Sequence, residues 1–232
     1  SFLTTQPVQA GAAILGPTVK GPVGIPTIVT TYSDYQNVFG TKIASGSAEY
    51  TYLTSIAAYN YFQQGGDSLL VTRVVTGSYT SATSSKVANE DDSDAFVLET
   101  LSEGTDQNST STQGTQGQLA LGTADNIRWE ITGVNSGSGT FALLIRQGND
   151  ITNNKTILET WPNLSLDPNS NNYIEKAIGN AKQTVATDGN ESYIQYSGDF
   201  ANASRYVRVK SVNTKTLNFF DNAGNAKAEF TG

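Results

Sequence analysis

Apolar and polar positions follow two different rhythms along the chain. Between Gly16 and Val75, apolar clusters punctuated by Gly-Pro pairs lead into segments with helical spacing. Ile25 to Thr31 (IPTIVTT) is rich in β-branched residues and predicts a strand. Ser33 to Phe39 (SDYQNVF) predicts a short helix, with Ser33 as N-cap, Asp34 at the positive end and Gly40 as the stop. Glu49 to Gln64 predicts a longer helix. Its apolar stripe is Leu53, Ile56, Ala57 and Tyr61, widened by Tyr50, Tyr52, Tyr59 and Phe62. Gly65-Gly66 stops it, and Leu69 to Val75 (LLVTRVV) is nearly continuously apolar, as expected of a strand covered on both faces. Strand, helices, strand implies a parallel or mixed sheet layered with helices.

From Thr76 the pattern loosens. Thr76 to Ser85 is rich in Gly, Ser and Thr. Glu90, Asp91, Asp92 and Asp94 form an acidic cluster, and Glu103 to Gly117 is a low-complexity polar stretch. Phe96 to Leu101 is the only strand candidate in this region. Beyond it, Asn126 to Val134 and Thr140 to Arg146 predict a hairpin around a turn at Asn135 to Gly139, and Thr156 to Trp161 a third strand. Asp167-Pro168 forces an extended step, Ser170 stands as a cap, and Tyr173, Ile174, Ala177 and Ile178 form a helix face ending at Gly179 or Gly189. Ser192 to Tyr196, Arg205 to Val212, Thr216 to Phe220 and Ala226 to Phe230 read as short strands. In the second of these, Tyr206, Arg208 and Lys210 form a wet basic face opposite Val207 and Val209.

The expected fold is therefore α/β or α+β. An N-terminal domain over residues 1–76 has a mixed sheet with covering helices. An acidic, low-complexity insertion or linker over 77–124 follows, then a β-rich domain over 125–232 with one short helix. Absence of Met and an alternating C-terminal NAKAEFTG read as a fragment of a longer polypeptide.

Composition narrows the chemistry. Of 232 residues 37% are hydrophobic, enough for a core, while a net charge of −7 repels phosphate backbones and argues against direct nucleic-acid binding. No apolar run is long enough for a spanning helix. The chain has no His and no Cys, which removes Ser-His-Asp and Cys-His catalysis, disulfides and almost all zinc sites. Gly16 to Gly21 superficially resembles a phosphate loop, but Pro22 stands where a Lys is needed. The acidic cluster lacks the glycine and terminal glutamate of an EF-hand. Asn163-Leu164-Ser165 fits a glycosylation sequon, a frequent coincidence in an Asn/Ser-rich chain. We expect no cofactor, no metal and no enzymatic activity.

Two ordered stretches carry a resemblance. The first comprises Gly16-Pro17, Gly21-Pro22, Gly24, Pro26, Ile28, Val29, Thr30, Tyr35, Phe39 and Gly40. It continues into Gly65-Gly66 and Val71-Thr72-Arg73-Val74. The second comprises Asn163, Leu164, Ser165, Asp167, Pro168, Ser170 and Tyr173. Together they resemble the N-terminal part of phage contractile-tail sheath proteins. The acidic insertion and the final strands match no part of that pattern. Further sheath domains, including the C-terminal one facing the tube, would lie beyond this chain.

The resemblance implies a structural subunit of the virion, assembled in the host cytoplasm. Its partners would be other sheath subunits in helically stacked hexameric rings, the tail tube protein, the baseplate and the tail terminator, with no membrane insertion. Contraction would drive the tube through the host envelope, the work coming from a lower-energy lattice rather than from catalysis. Phe2, Leu3, Thr4 and Thr5 would form an inter-subunit arm that adds a strand to a neighbour's sheet; taken alone they read as a loose terminus. A pyocin-like or other contractile injection system is the alternative with the same mechanics. A β-rich surface adhesion or glycan-binding module is the alternative of a different class.

Overall fold

A computed structural model describes residues 11–45, 47–84, 87–88, 94–109 and 111–230. The proposed arm (Phe2, Leu3, Thr4, Thr5) and Glu90, Asp91 and Asp92 lie outside the described residues. The fold is mixed α/β and mostly strand, in several small sheets with few helices. The chain divides into two compact units, Ser1–Ser78 and Tyr79–Gly232.

In the first unit, β1 (Ala12–Gly16) runs parallel to β5 (Leu69–Arg73), and β2 (Thr27–Val29) antiparallel to it, giving the mixed order β1-β5-β2. Helix α1 (Tyr32–Phe39) begins one residue earlier than expected, and its cap is Thr31, not Ser33. The Asp34 amide donates to Thr31 Oγ1 at 3.0 Å, and Asp34 Oδ2 accepts from the Thr30 amide at 3.3 Å. This reciprocal arrangement serves two otherwise orphaned donors. Gly40 ends the helix with φ 69°.

The helix expected over Glu49 to Gln64 is present only in its C-terminal part. β3 (Lys42–Ser45) and β4 (Ala48–Thr51) form a hairpin, and α2 spans Leu53–Gln63. The Ile43–Tyr50 cross-strand pair and a Lys42–Glu49 contact at 2.9 Å belong to the hairpin. Aromatic and β-branched residues in EYTY suit a strand as well as a helix, and the strand partner decides.

Helix α2 also turns a largely different face inward; of the predicted stripe, Tyr61 and Phe62 pack against the core. Thr54, Ser55 and Ala58 are buried, while Leu53 is 81% exposed and Ile56 and Tyr59 are exposed as well. Small side chains let the helix approach β1 closely: a Cβ built on Gly16 would lie 2.5 Å from Thr54 Oγ1. Larger residues at 54, 55 and 58 would hold the helix off the sheet. Both helices cover the same sheet face, around Val29, Tyr35, Phe39, Ala58, Leu69 and Val71. Burial, with the Tyr32 hydroxyl beside it, pushes the Tyr35 phenol up to about 12, and the nearby Ser55 hydroxyl pulls it slightly back.

The second unit has two larger sheets. β9 (Ile127–Asn135), β10 (Thr140–Gln147) and β11 (Ile157–Ser165) form an antiparallel sheet with β10 central. β14 (Val207–Val212), β8 (Asp94–Glu103) and β6 (Ser81–Thr83) form the other, with β7 (Val87–Ala88) also on β8. Residues 77–124 are thus no mere insertion or linker, because they supply the central strand β8. Phe96, Leu98, Leu143, Ile145, Val207 and Val209 make one core with α3 (Ile174–Ile178).

Other expectations fail locally. Ser170 caps nothing: its hydroxyl accepts from the Asn172 amide, and Tyr173 occupies the α3 N-cap without a side-chain bond. Arg208 is not on a wet face but 7% exposed, held by Glu99 through Nε at 2.8 Å and Nη2 at 2.7 Å. Thr216 to Phe220 and Ala226 to Phe230 form no strands. They meet in a single Phe220–Ala226 bridge, and Ala228–Phe230 is a 3-10 turn. β12 (Lys182–Asp188), not foreseen, pairs with β13 (Glu191–Ser197). The Gly189-Asn190 pair between two β-prone runs was the available signal.

Candidate assembly surfaces

The first unit gathers most of the Gly/Pro pattern at one node. After β1 the chain loops through Pro17 and Pro22 and returns to β5. The buried Arg73 side chain donates from Nη1 to the Gly21 carbonyl at 2.7 Å. The Gly24 amide donates to the Arg73 carbonyl at 3.0 Å, and the Val74 amide to the Gly16 carbonyl at 3.0 Å. Gly21 is pressed on Phe39, and the Lys20 amide donates to the Phe39 carbonyl at 3.2 Å. Gly16, Gly21, Gly24, Phe39 and Arg73 therefore converge. Gly40 continues from Phe39 at the helix end. Gly65 and Gly66 sit apart, at the α2 terminus, where Gly66 abuts the Tyr61 ring. Pro17 and Pro26 are exposed and Pro22 half-buried.

The second set shapes the path from β11 into α3. Trp161 pairs with Leu143 and Leu164 with Phe141, so Pro162 and Asn163 together face Ala142 in a β-bulge. Pro has no amide to lose there, and Asn163 takes the left-handed φ of 55° that Asn tolerates. Asp167 Oδ1 accepts from the Asn169 amide at 2.9 Å, and its carbonyl from the Ser170 amide at 3.0 Å. The Pro168 carbonyl accepts from Lys176 Nζ at 2.8 Å. Tyr173 is buried beside Ser165, and desolvation, with Glu175 adding to it, pushes its phenol up to about 12. Both sets of residues are explained by backbone geometry and packing.

Among the described residues of the second unit, the densest charge is likewise internal. Arg146 donates to Asp150 from Nε and Nη2, both at 2.7 Å, and from Nη1 to Glu130 at 2.7 Å. Arg128 reaches the Gly117 carbonyl at 2.6 Å and Asp150 Oδ1 at 3.4 Å, and the Thr156 amide completes Asp150 at 3.0 Å. These contacts, with Lys155 on Glu130 at 2.7 Å, partner both oxygens of Asp150 and of Glu130. Among the described residues, no group of three or more Asp, Glu, His or Cys could hold a metal ion. No helix among them is long and apolar enough to cross a membrane.

The hydrogen bond from Lys155, ahead of that from Arg146, holds the Glu130 carboxyl below the usual glutamate range. A depressed carboxylate contributes stability that is present above its unfolded pKa, about 4.3, and is lost as pH falls through the folded value. Lys155→Met is expected to lower stability at neutral pH by up to about 1 kcal/mol while leaving the acid state little changed, so that thermal stability becomes less sensitive to acid below about pH 4.3. Melting curves from neutral to acid pH check this, and an unchanged slope would refute it.

What unit 1 leaves open is an apolar sheet face. Ala13, Leu70 and Ile28 lie in one row across β1, β5 and β2, and Leu15 pairs with Thr72 in the next. Leu15 is 72% exposed and Ile28 60%. The sequence predicts a β5 covered on both faces, yet among the described residues of this unit only the Leu69/Val71 side is packed against helices. Contiguous exposed apolar surface of this kind marks an interaction site. The outer edge of β1 pairs with no other strand among the described residues.

In comparisons with known proteins, no family model and no curated protein matches this chain.

Proposed function

We propose that this chain is the N-terminal part of a structural subunit of a contractile tail sheath, acting by assembly rather than by chemistry. The observation that carries the proposal is the uncovered face of the β1-β5-β2 sheet. A three-stranded sheet with Leu15, Ile28 and Leu70 in water is an incomplete layer, and a layered architecture calls for a further element on that side. The convergence of Gly16, Gly21, Gly24 and Arg73 supports it, because a rigid loop at the strand ends suits a body that moves without deforming.

In this reading, subunits form hexameric rings stacked helically around a tail tube, between baseplate and terminator. Triggering shifts them to a second lattice of lower energy, so neither nucleotide nor cofactor is needed. A pyocin-like injection system uses the same mechanics.

Negative-stain microscopy of the full-length product, with its tube protein, tests the proposal. Striated tubes or rings are expected. A double variant, Ile28→Asp with Leu70→Glu, is expected to keep the secondary structure and lose the tubes. Full-length protein that stays dispersed beside preformed tubes would sink the reading.

A further inference from the structure

Strands β12 and β13 form a two-stranded sheet that pairs with no other strand among the described residues. Most of their residues are exposed on both faces, including Val185 at 50% and Tyr196 at 69%. An isolated two-stranded hairpin is marginal in water. Natural sheets guard such edges with charges, Pro or bulges. β12 has none of these between its ends: its register with β13 is unbroken and Gln183 to Thr187 are uncharged.

We propose that the free edge of β12 pairs with β12 of a second copy of this chain, antiparallel and centred on Val185. Backbone geometry permits it. The turn Gly189-Asn190 has two residues, with Gly189 at φ 60° and Asp188 paired to Glu191. The pair closing such a turn is hydrogen-bonded, and the ladder alternates from there, so Val185–Ile194 is a non-hydrogen-bonded pair. The amides and carbonyls of Gln183, Val185 and Thr187 therefore point to the free edge. Antiparallel pairing about Val185 sets Gln183 opposite Thr187 and Val185 opposite Val185 of the second copy, with donors and acceptors in register.

The charges choose this edge over the others. The same register brings Lys182 opposite Asp188 of the second copy, twice by symmetry. Lys182 keeps a 41% exposed side chain, and its contact with Glu99 is long at 3.7 Å. Pairing β13 with itself about Ile194 sets Glu191 opposite Ser197 and gains no ion pair. Stacking hairpins side by side at the same level sets Asp188 against Glu191. In the β12 pairing, Val185 and Ile194 of both copies share one face of a four-stranded sheet. A two-fold contact is isologous and closes at two copies. It describes the free subunit and does not rest on the tube-building contacts proposed above.

Sedimentation velocity of the purified chain at micromolar concentrations is expected to show a reversible dimer. Val185→Lys sets two ammonium groups face to face and is expected to give a monomer. Lys182→Asp should weaken dimerisation by about tenfold or more. Adding Asp188→Lys should restore it, a rescue that a merely structural role for Lys182 would not produce. The chain has no Cys, so Val185→Cys offers a clean cross-link. Opposed Cα atoms about 5.5 Å apart fall within disulfide range, and oxidation should trap the dimer. A chain that stays monomeric throughout overturns the proposal. So does a dimer that survives Val185→Lys, or one that cross-links better through Ile194→Cys.

Discussion

Asp150→Ala is expected to destabilise the second unit by about 3 kcal/mol, because it leaves the buried Arg146 with Glu130 as its remaining counter-charge. The Asp150 side chain is wholly buried and Arg146 is 5% exposed. Removing the carboxylate strips Arg146 of two short hydrogen bonds and the Thr156 amide of its acceptor. Water cannot easily reach the orphaned donors. Replacing Arg146 and Asp150 together with Met and Leu should recover a substantial part of the loss, since buried ion pairs often exchange for apolar packing at little cost. Both tryptophans, Trp129 on β9 and Trp161 on β11, flank β10, so their fluorescence in urea reports this unit. A midpoint that barely moves in the single variant would show that the network carries little of the stability.

In the first unit the largest effect is expected from Gly21→Ala. Gly21 sits at φ 109°, and a Cβ there would lie 2.7 Å from Phe39 Cδ1 and 3.1 Å from the Val38 carbonyl. Phe39 is fully buried and cannot swing out. The left-handed backbone costs about 1–2 kcal/mol and the forced repacking about 1–3 more, so a loss of roughly 2–5 kcal/mol is expected. Gly65→Ala separates the two contributions. Gly65 has a similar φ of 87° but nothing within 4 Å of its would-be Cβ, so only the backbone cost should appear. Hydrogen exchange along β5 reads unit 1 directly. Equal losses in the two variants would mean that the Gly21–Phe39 contact adds nothing.

Much of the strand inventory was legible because it depends on close neighbours. The β9–β10 hairpin announced itself by apolar runs on either side of a Gly/Ser/Asn turn, and β8 by FVLETL, although its partner β14 lies over a hundred residues away. The same local reading misled wherever one stretch satisfied two periods. EYTYL places apolar residues for a helix and for a strand, and only Lys42–Ser45 opposite settled it. The hairpin β12–β13 was half missed because its apolar positions are exposed and too sparse to alternate convincingly.

The candidate surface was the least legible part. Leu15, Ile28, Leu53 and Leu70 look like core residues in any one-dimensional reading. Arg208, with polar neighbours on alternate positions, looks solvated.

From the sequence alone came what short-range chemistry controls: the helix stops at Gly40 and Gly65-Gly66, the bends at proline, the strand-forming runs, and a residue inventory without His or Cys. Only the tertiary structure decided which side of α2 meets the sheet, which face of β5 stays bare and which charges go inside. Those outcomes depend on partners distant in the chain. Thr54 fits against Gly16, Arg73 reaches back to Gly21, and Glu99 waits for Arg208. Close packing selects the small residue over the greasy one where two backbones must touch, and no pattern of neighbours along the chain encodes that choice.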